Sequence, residues 1–243
     1  MMKRYLRGLG VGLLLAGFAI TGLSTEILKG SGGDNGGVAS AAPTVPITVP
    51  IVPGSGWNFF TFPSVIGGAA SSCFTYTSTG ATAVTVTDAF CIGDVFHVYD
   101  NNVLLCDTSP VASEFPNCLG VANPDAAIAT GLYSNATCKI CSAGAHEICV
   151  TVKALWGPGG GGAWLRVDDA TCTVGEACAE GGTAVDAACP TGGVYGNHGA
   201  YVSCVAAATN AYLATLTGFT SDELEEISSC IVNPRARSTV GKK

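Results

Sequence analysis

Between residues 57 and 169 apolar and polar residues alternate in short runs rich in Thr, Val, Phe and Tyr, interrupted by Gly, Asn, Asp and Pro. A period of two is the pattern of strands with one buried face. The clearest predicted strands are 72–78, 83–87, 94–99, 103–106, 147–154 and 163–167, and Asp100-Asn101-Asn102 closes the third with a turn. Within 94–99 the period puts Phe96 and Val98 on the core face, and Val95, His97 and Tyr99 on the other. Six or more such strands predict a mainly β fold, an antiparallel sandwich.

Past residue 170 the pattern changes. Residues 170–188 are rich in Cys and Gly without a convincing period and read as a disulfide-pinned connector. Residues 199–217 then place Val202, Val205, Ala206, Leu213 and Leu216 near one helical face, with Gly218 as a terminator. A second helix is predicted from the Thr220/Glu223 capping box, with Leu224, Ile227 and Ile231 along one side and Asn233-Pro234 as its stop. The sandwich is thus followed by a small two-helix module over 189–232, which a Cys204–Cys230 disulfide would lock. The last stretch, 233–243, reads as a disordered basic tail.

The N-terminus bears on location. Lys3, Arg4 and Arg7 precede the uncharged apolar run LGVGLLLAGFAITGL at 9–23, which is short for a membrane span and reads as a signal peptide over 1–24. An uncleaved signal anchor is the competing reading. Residues 25–56 (GSGGDNGG, then AAPTVPITVPIVPGSG) read as a Gly/Pro-rich linker ahead of a sandwich domain at 57–169. Twelve cysteines, none before Cys73, fit disulfides in an exported chain better than cytosolic thiols. A secreted or cell-surface protein is expected.

Charge excludes one class. The net charge is −7, and residues 30–234 offer only Lys139, Lys153 and Arg166 as cations, too few for a phosphate-binding stripe. No nucleic-acid partner is expected.

Several motifs carry a resemblance. VTVTDAFCIGDVFHVYDNNVLLCDTS at 84–109, NPDAAI at 123–128, AGAHEICVTV at 143–152 and GGGGAWLRVD at 159–168 resemble a recurrent secreted β-sandwich module. They are more loosely similar to CUB domains, extracellular jelly-roll sandwiches that often bind calcium and proteins. Asn102 and Cys106 stand where the module has glycine. That resemblance implies a Cys91–Cys118 disulfide clamping the D-A-F-C strand. CPTGGVYGNHGAYVSCVAAATNAYL at 189–213 resembles a second secreted module marked by N-H-G-x-Y-V-x-C-V, with Thr191 where a cysteine is usual. Neither resemblance brings an activity with it.

Candidate chemistry is sparse. His97, His146 and His198 are the histidines, G-x-S-x-G is absent, and no catalytic residues are assigned. Cys138-Lys139-Ile140-Cys141 reads as a staple pattern with separate partners. The glycines at 157–162 are followed by a strand rather than a helix, so they form a loop, not a dinucleotide site. The acidic set Asp88, Asp94, Asp100, Asp107, Asp125 and Asp168 is the one constellation suited to a cofactor. Calcium is the candidate, with Asp94 and Asp100 as ligands, although both are also ordinary turn residues. Trp156 and Tyr99 are candidate ligand-stacking aromatics. Asn135 heads a glycosylation sequon, used if the host glycosylates secreted proteins.

The function these features point to is a non-catalytic binding or adhesion module for an extracellular glycan or protein. A self-associating structural component and a secreted hydrolase are the alternatives.

Overall fold

The computed structural model describes residues 45–110, 120–121, 123–157 and 159–240. All of them belong to one compact unit of the chain. In chain order the elements are β1 (Ile47–Pro50), β2 (Asn58–Phe62), β3 (Ser72–Ser78), β4 (Thr82–Asp88), β5 (Val95–Asp100), β6 (Val103–Asp107), α1 (Pro124–Thr130), β7 (Asn135–Ile140), β8 (Gly144–Ala154), β9 (Gly161–Asp169), α2 (Val174–Ala188), α3 (His198–Leu213) and α4 (Ser221–Ala236).

The strands form two sheets, β1-β3-β8-β5-β6 and β2-β9-β4-β7. All pairs are antiparallel except β1 with β3. The inner faces supply the core expected from the period of two: Phe60, Phe74, Val84, Phe96, Val98, Ile148 and Leu165 are almost fully buried and pack together. The Asn101-Asn102 turn has positive φ at both residues, 48° and 66°, as a two-residue hairpin between β5 and β6 requires.

Three boundaries differ from the sequence reading. Residues 47–50, assigned to the linker, form a strand beside β3, because backbone pairing there needs no apolar alternation. Residues 170–188 are not a connector but mostly helix α2. Thr173 and Glu176 make a capping box, and Ala177, Gly181 and Val185 form the buried stripe. A Cβ on Gly181 would come within 2.4 Å of Tyr212 and 2.6 Å of Ile231, so glycine here permits close helix packing. The module therefore has three helices, with Tyr201, Val205, Ile227 and Ile231 at its centre. Finally, α4 runs through Pro234 to Ala236, and the segment after it is held by His198, whose ring nitrogens lie 3.1 Å from the Ala236 carbonyl and 2.8 Å from that of Val240. The signal segment and residues 25–44 of the linker lie outside the described residues.

Helices and sandwich are joined by backbone and by sulfur. Ala143 N–H donates to the Thr215 carbonyl at 2.9 Å, and Cys141–Cys172 ties the end of β7 to the approach to α2. No described helix is long and apolar enough to cross a membrane.

Candidate functional site

Two features meet where the sandwich abuts the helices. The first is a polar row at the end of the core. Strands β3, β8 and β5 are neighbours, and their inward positions include Ser78, Tyr76, His146 and Asp100. His146 Nδ1 lies 2.9 Å from Asp100 Oδ2, and Nε2 lies 3.2 Å from Ser78 Oγ. With Nδ1–H donating to the carboxylate, Nε2 is free to accept from the serine hydroxyl. Tyr76 stacks on the imidazole at 5.0 Å, and its hydroxyl, 2.8 Å from Thr82 Oγ1, is driven well above the usual tyrosine range by burial. Asp100 Oδ1 is buried without a hydrogen-bond partner.

The order hydroxyl, imidazole, carboxylate is that of a nucleophile, its base and an orienting group. Ser78 is only 8% exposed, however, and it lines neither of the two cavities beside the row. The row links those cavities instead, Asp100 lining one and His146 the other.

The larger cavity, about 530 Å³, is the second feature. That size suits a ligand site at a junction of two structural units. Its apolar wall is β6, where Val103 and Leu104 are 37% and 47% exposed. Strand β7 supplies Lys139 and Ile140, and α2 supplies Glu176 and Glu180. With Asp100, three carboxylates face one ammonium, and Lys139 is already paired with Glu176 at 3.0 Å. The Thr173 N–H, with help from Lys139, holds the Glu176 carboxyl below its ordinary range. Glu180 accepts from the backbone N–H of Cys141 and from the Ser142 hydroxyl at 2.6 Å, which fixes α2 against the end of β7. Cys106–Cys138 ties β6 to β7, and with Cys141–Cys172 it pins the cavity walls covalently.

The candidate calcium ligands do not converge. Asp94 and Asp100 flank opposite ends of β5, six residues or roughly 20 Å apart in an extended strand. Asp94 accepts the Trp156 N–H at 2.9 Å and has its pKa raised by burial, while Asp100 is engaged by His146. Asp94 instead neighbours Asp88, whose fully buried carboxyl is pushed up to about 7, chiefly by desolvation and further by the charge of Asp94. Among the described residues one metal-type cluster has converging donors, Cys73, Glu147 and Cys149, and its cysteines are joined as a disulfide.

The candidate aromatics are likewise apart. Trp156, 39% exposed, packs over Gly93 at one end of β5, whereas Tyr99 sits near the other end, edge-on to His97. The Asn135 side-chain amide donates to the Tyr133 carbonyl at 2.9 Å.

The cysteines pair as Cys73–Cys149, Cys106–Cys138, Cys141–Cys172, Cys178–Cys230 and Cys189–Cys204. Cys91 is also disulfide-bonded, and Cys118 lies outside the described residues. The Cys204–Cys230 pairing expected between two helices is replaced because α2 supplies a partner to each: Cys178 on the helix takes Cys230, and Cys189 at its C-cap takes Cys204. Glu176 and Glu180 escaped the sequence reading because they belong to that unrecognised helix. The Thr173/Glu176 capping box was the signal available for it.

No protein-family model matches the chain, and no curated protein matches it. Among solved structures, the 1.0 Å crystal structure of the pre-peptidase C-terminal domain of a collagenase from Bacillus anthracis aligns with 14% identity over 51% of this chain and 97% of that one. The TM-score is 0.31, too low to assign a shared fold. The five disulfides among the described residues point by themselves to an oxidising, extracytoplasmic setting.

Proposed function

We propose that the chain is a secreted, non-catalytic binding module whose ligand carries positive charge and occupies the cavity between β6, β7 and α2. The observation that carries this reading is the charge balance of that cavity, three carboxylates facing a lysine that one of them already holds. Three other described cations are already engaged elsewhere. Lys153 pairs with Asp107, Arg166 with Asp125 and Asp168, and Arg235 with Asp186. Walls pinned by disulfides lower the ordering penalty of binding, so a pre-formed site is favoured.

Two amphiphilic probes of opposite charge test it: a short alkylguanidinium and an alkylcarboxylate of equal length, each titrated into the 15N-labelled chain. The guanidinium should shift amide signals of residues 103–105 and 176–184 and leave β2 unmoved. A preference for the carboxylate, or shifts confined to another surface, would refute the proposal.

A glycan ligand has its own supporting observation. On the outer face of β2 and β9, Phe59 and Phe90, 48% and 37% exposed, lie 5.9 Å apart, and Phe59 lies 5.2 Å from Trp164. These rings are edge-to-face rather than coplanar, which gives a sugar ring no flat platform and favours the cavity. The hydrolase alternative has the Ser78–His146–Asp100 row in its support, and the seclusion of Ser78 weighs against it.

A further inference from the structure

The cavity is also a groove along an open sheet edge. Among the described residues, strand β6 is the last strand of its sheet, hydrogen-bonded to β5 on one side only. An edge strand presents a row of backbone N–H and C=O groups, and natural proteins blunt such edges with charges, prolines or a covering element. Strand β6 carries none of these at its exposed positions: its sequence is VLLCD, and Val103 and Leu104 are the exposed members. The opposite edge of this sheet, by contrast, is β1, which ends in Pro50. The two sheets differ too, since β7, the neighbouring edge, carries Lys139.

Helix α2 runs past the open edge without covering it and leaves the cavity between them. Its contributions to the cavity, from Glu176 to Ala184, span nine residues, roughly 12 Å of helix, against roughly 13 Å for the five residues of β6. A four- or five-residue extended segment fits those dimensions. The charged groups fronting it are Asp100, Glu176, Glu180 and Lys139, which Glu176 already holds, and the other described cations between residues 45 and 234, Lys153 and Arg166, pair with carboxylates elsewhere.

We infer that the groove binds an extended basic segment of a partner protein, which adds as a strand along β6 and sets Lys or Arg side chains against Asp100, Glu176 and Glu180. The inference rests on the cavity being the ligand site and adds the identity of the ligand. Backbone pairing along β6 supplies affinity, and the carboxylates select charge at alternate positions of the incoming strand. Leu104, on the face of β6 opposite to Val103 and Asp100, takes the apolar residues between them.

The test uses the full secreted chain and a fluorescein-labelled hexapeptide alternating Lys and Val, read by fluorescence anisotropy. Three companions accompany it: the Glu/Val counterpart, the Lys/Val peptide N-methylated on alternate backbone amides, and spermidine as a competitor. The Lys/Val peptide should bind, the Glu/Val peptide should bind at least about tenfold more weakly, and N-methylation on the pairing edge should have a similar effect. Leu104→Lys on the exposed edge, checked for unchanged thermal unfolding, should weaken the Lys/Val peptide to the same degree. Binding left unaltered by N-methylation of both alternate sets of amides, each tested in its own peptide, overturns strand addition. If spermidine binds the groove and the peptide does not, the cation-binding cavity stands and the peptide partner falls. If neither binds, both fall. Peptide-competed self-association of the chain would overturn a separate partner in favour of a second copy.

Discussion

His146 Nδ1 lies 2.9 Å from Asp100 Oδ2, and the two come from strands that meet only in the folded sheet, 46 positions apart in the chain. The pair couples the buried end of the sandwich core to the wall of the ligand cavity, because His146 is almost fully enclosed while Asp100 lines that cavity. Replacing His146 with Phe removes the partner of a largely buried carboxylate and of Ser78 together. The expected loss is about 2–4 kcal/mol of unfolding free energy, against about 1 kcal/mol for Ser78→Ala, measured by urea denaturation. Equal losses for the two variants would show that Asp100 gains little from the imidazole.

Asp88 gives the chain a pH dependence of definite sign. Its carboxyl has an ordinary value of 3.8 and is raised to about 7 by burial, so the native state holds a proton that the unfolded chain has released over that interval. Native protein binds more protons, and stability therefore falls as pH rises from about 4 through about 7. Asp94, raised by its own burial, acts in the same direction. Urea midpoints at pH 5 and pH 8 should drop by an amount equivalent to roughly 2–4 kcal/mol in the parent chain and much less in Asp88→Asn. A parent chain more stable at pH 8 than at pH 5 would contradict the assignment.

Adjacent glycines in α2 should respond oppositely to alanine. A Cβ on Gly181 meets the Tyr212 ring and Ile231 inside the packed helices, whereas one on Gly182 meets only the end of the Arg235 side chain, at 3.3 Å. Gly181→Ala should destabilise by about 1–3 kcal/mol through overpacking, and Gly182→Ala should be neutral or stabilise by up to about 1 kcal/mol through helix propensity. Calorimetric melting of both variants makes the comparison. A harmless Gly181→Ala would mean that α2 does not pack as described.

The sulfur map is open to direct reading. Non-reducing peptide mapping should recover Cys178 linked to Cys230 and Cys189 linked to Cys204. A peptide joining Cys204 to Cys230 would restore the two-helix arrangement and remove α2 from the module.

What the sequence disclosed was mostly local. Phe96 and Val98 announce their buried face through alternation alone, and Thr220 with Glu223 announces a helix start through side chains three residues apart. Strand β1 was hidden because Pro46 and Pro50 bracket it and its partner lies more than twenty residues ahead. Helix α2 was hidden because its buried stripe is Ala177, Gly181 and Val185, small residues that apolar periodicity barely registers. The polar row was beyond sequence reasoning, since Ser78 and His146 are 68 positions apart and meet only through the order of strands in the sheet. Asp94 and Asp100 show the converse. Six residues apart, they look like a pair in sequence, and an extended strand holds them at opposite ends.

Hydrogen–deuterium exchange of the full chain, with and without the Lys/Val peptide, shows directly whether the groove between β6 and α2 is the binding surface. Binding in the groove predicts slowed exchange at residues 103–107 and 176–184, with no change on the outer aromatic face around Phe59 and Trp164. Protection confined to that aromatic face, with β6 and α2 unaffected, would place the ligand outside the groove.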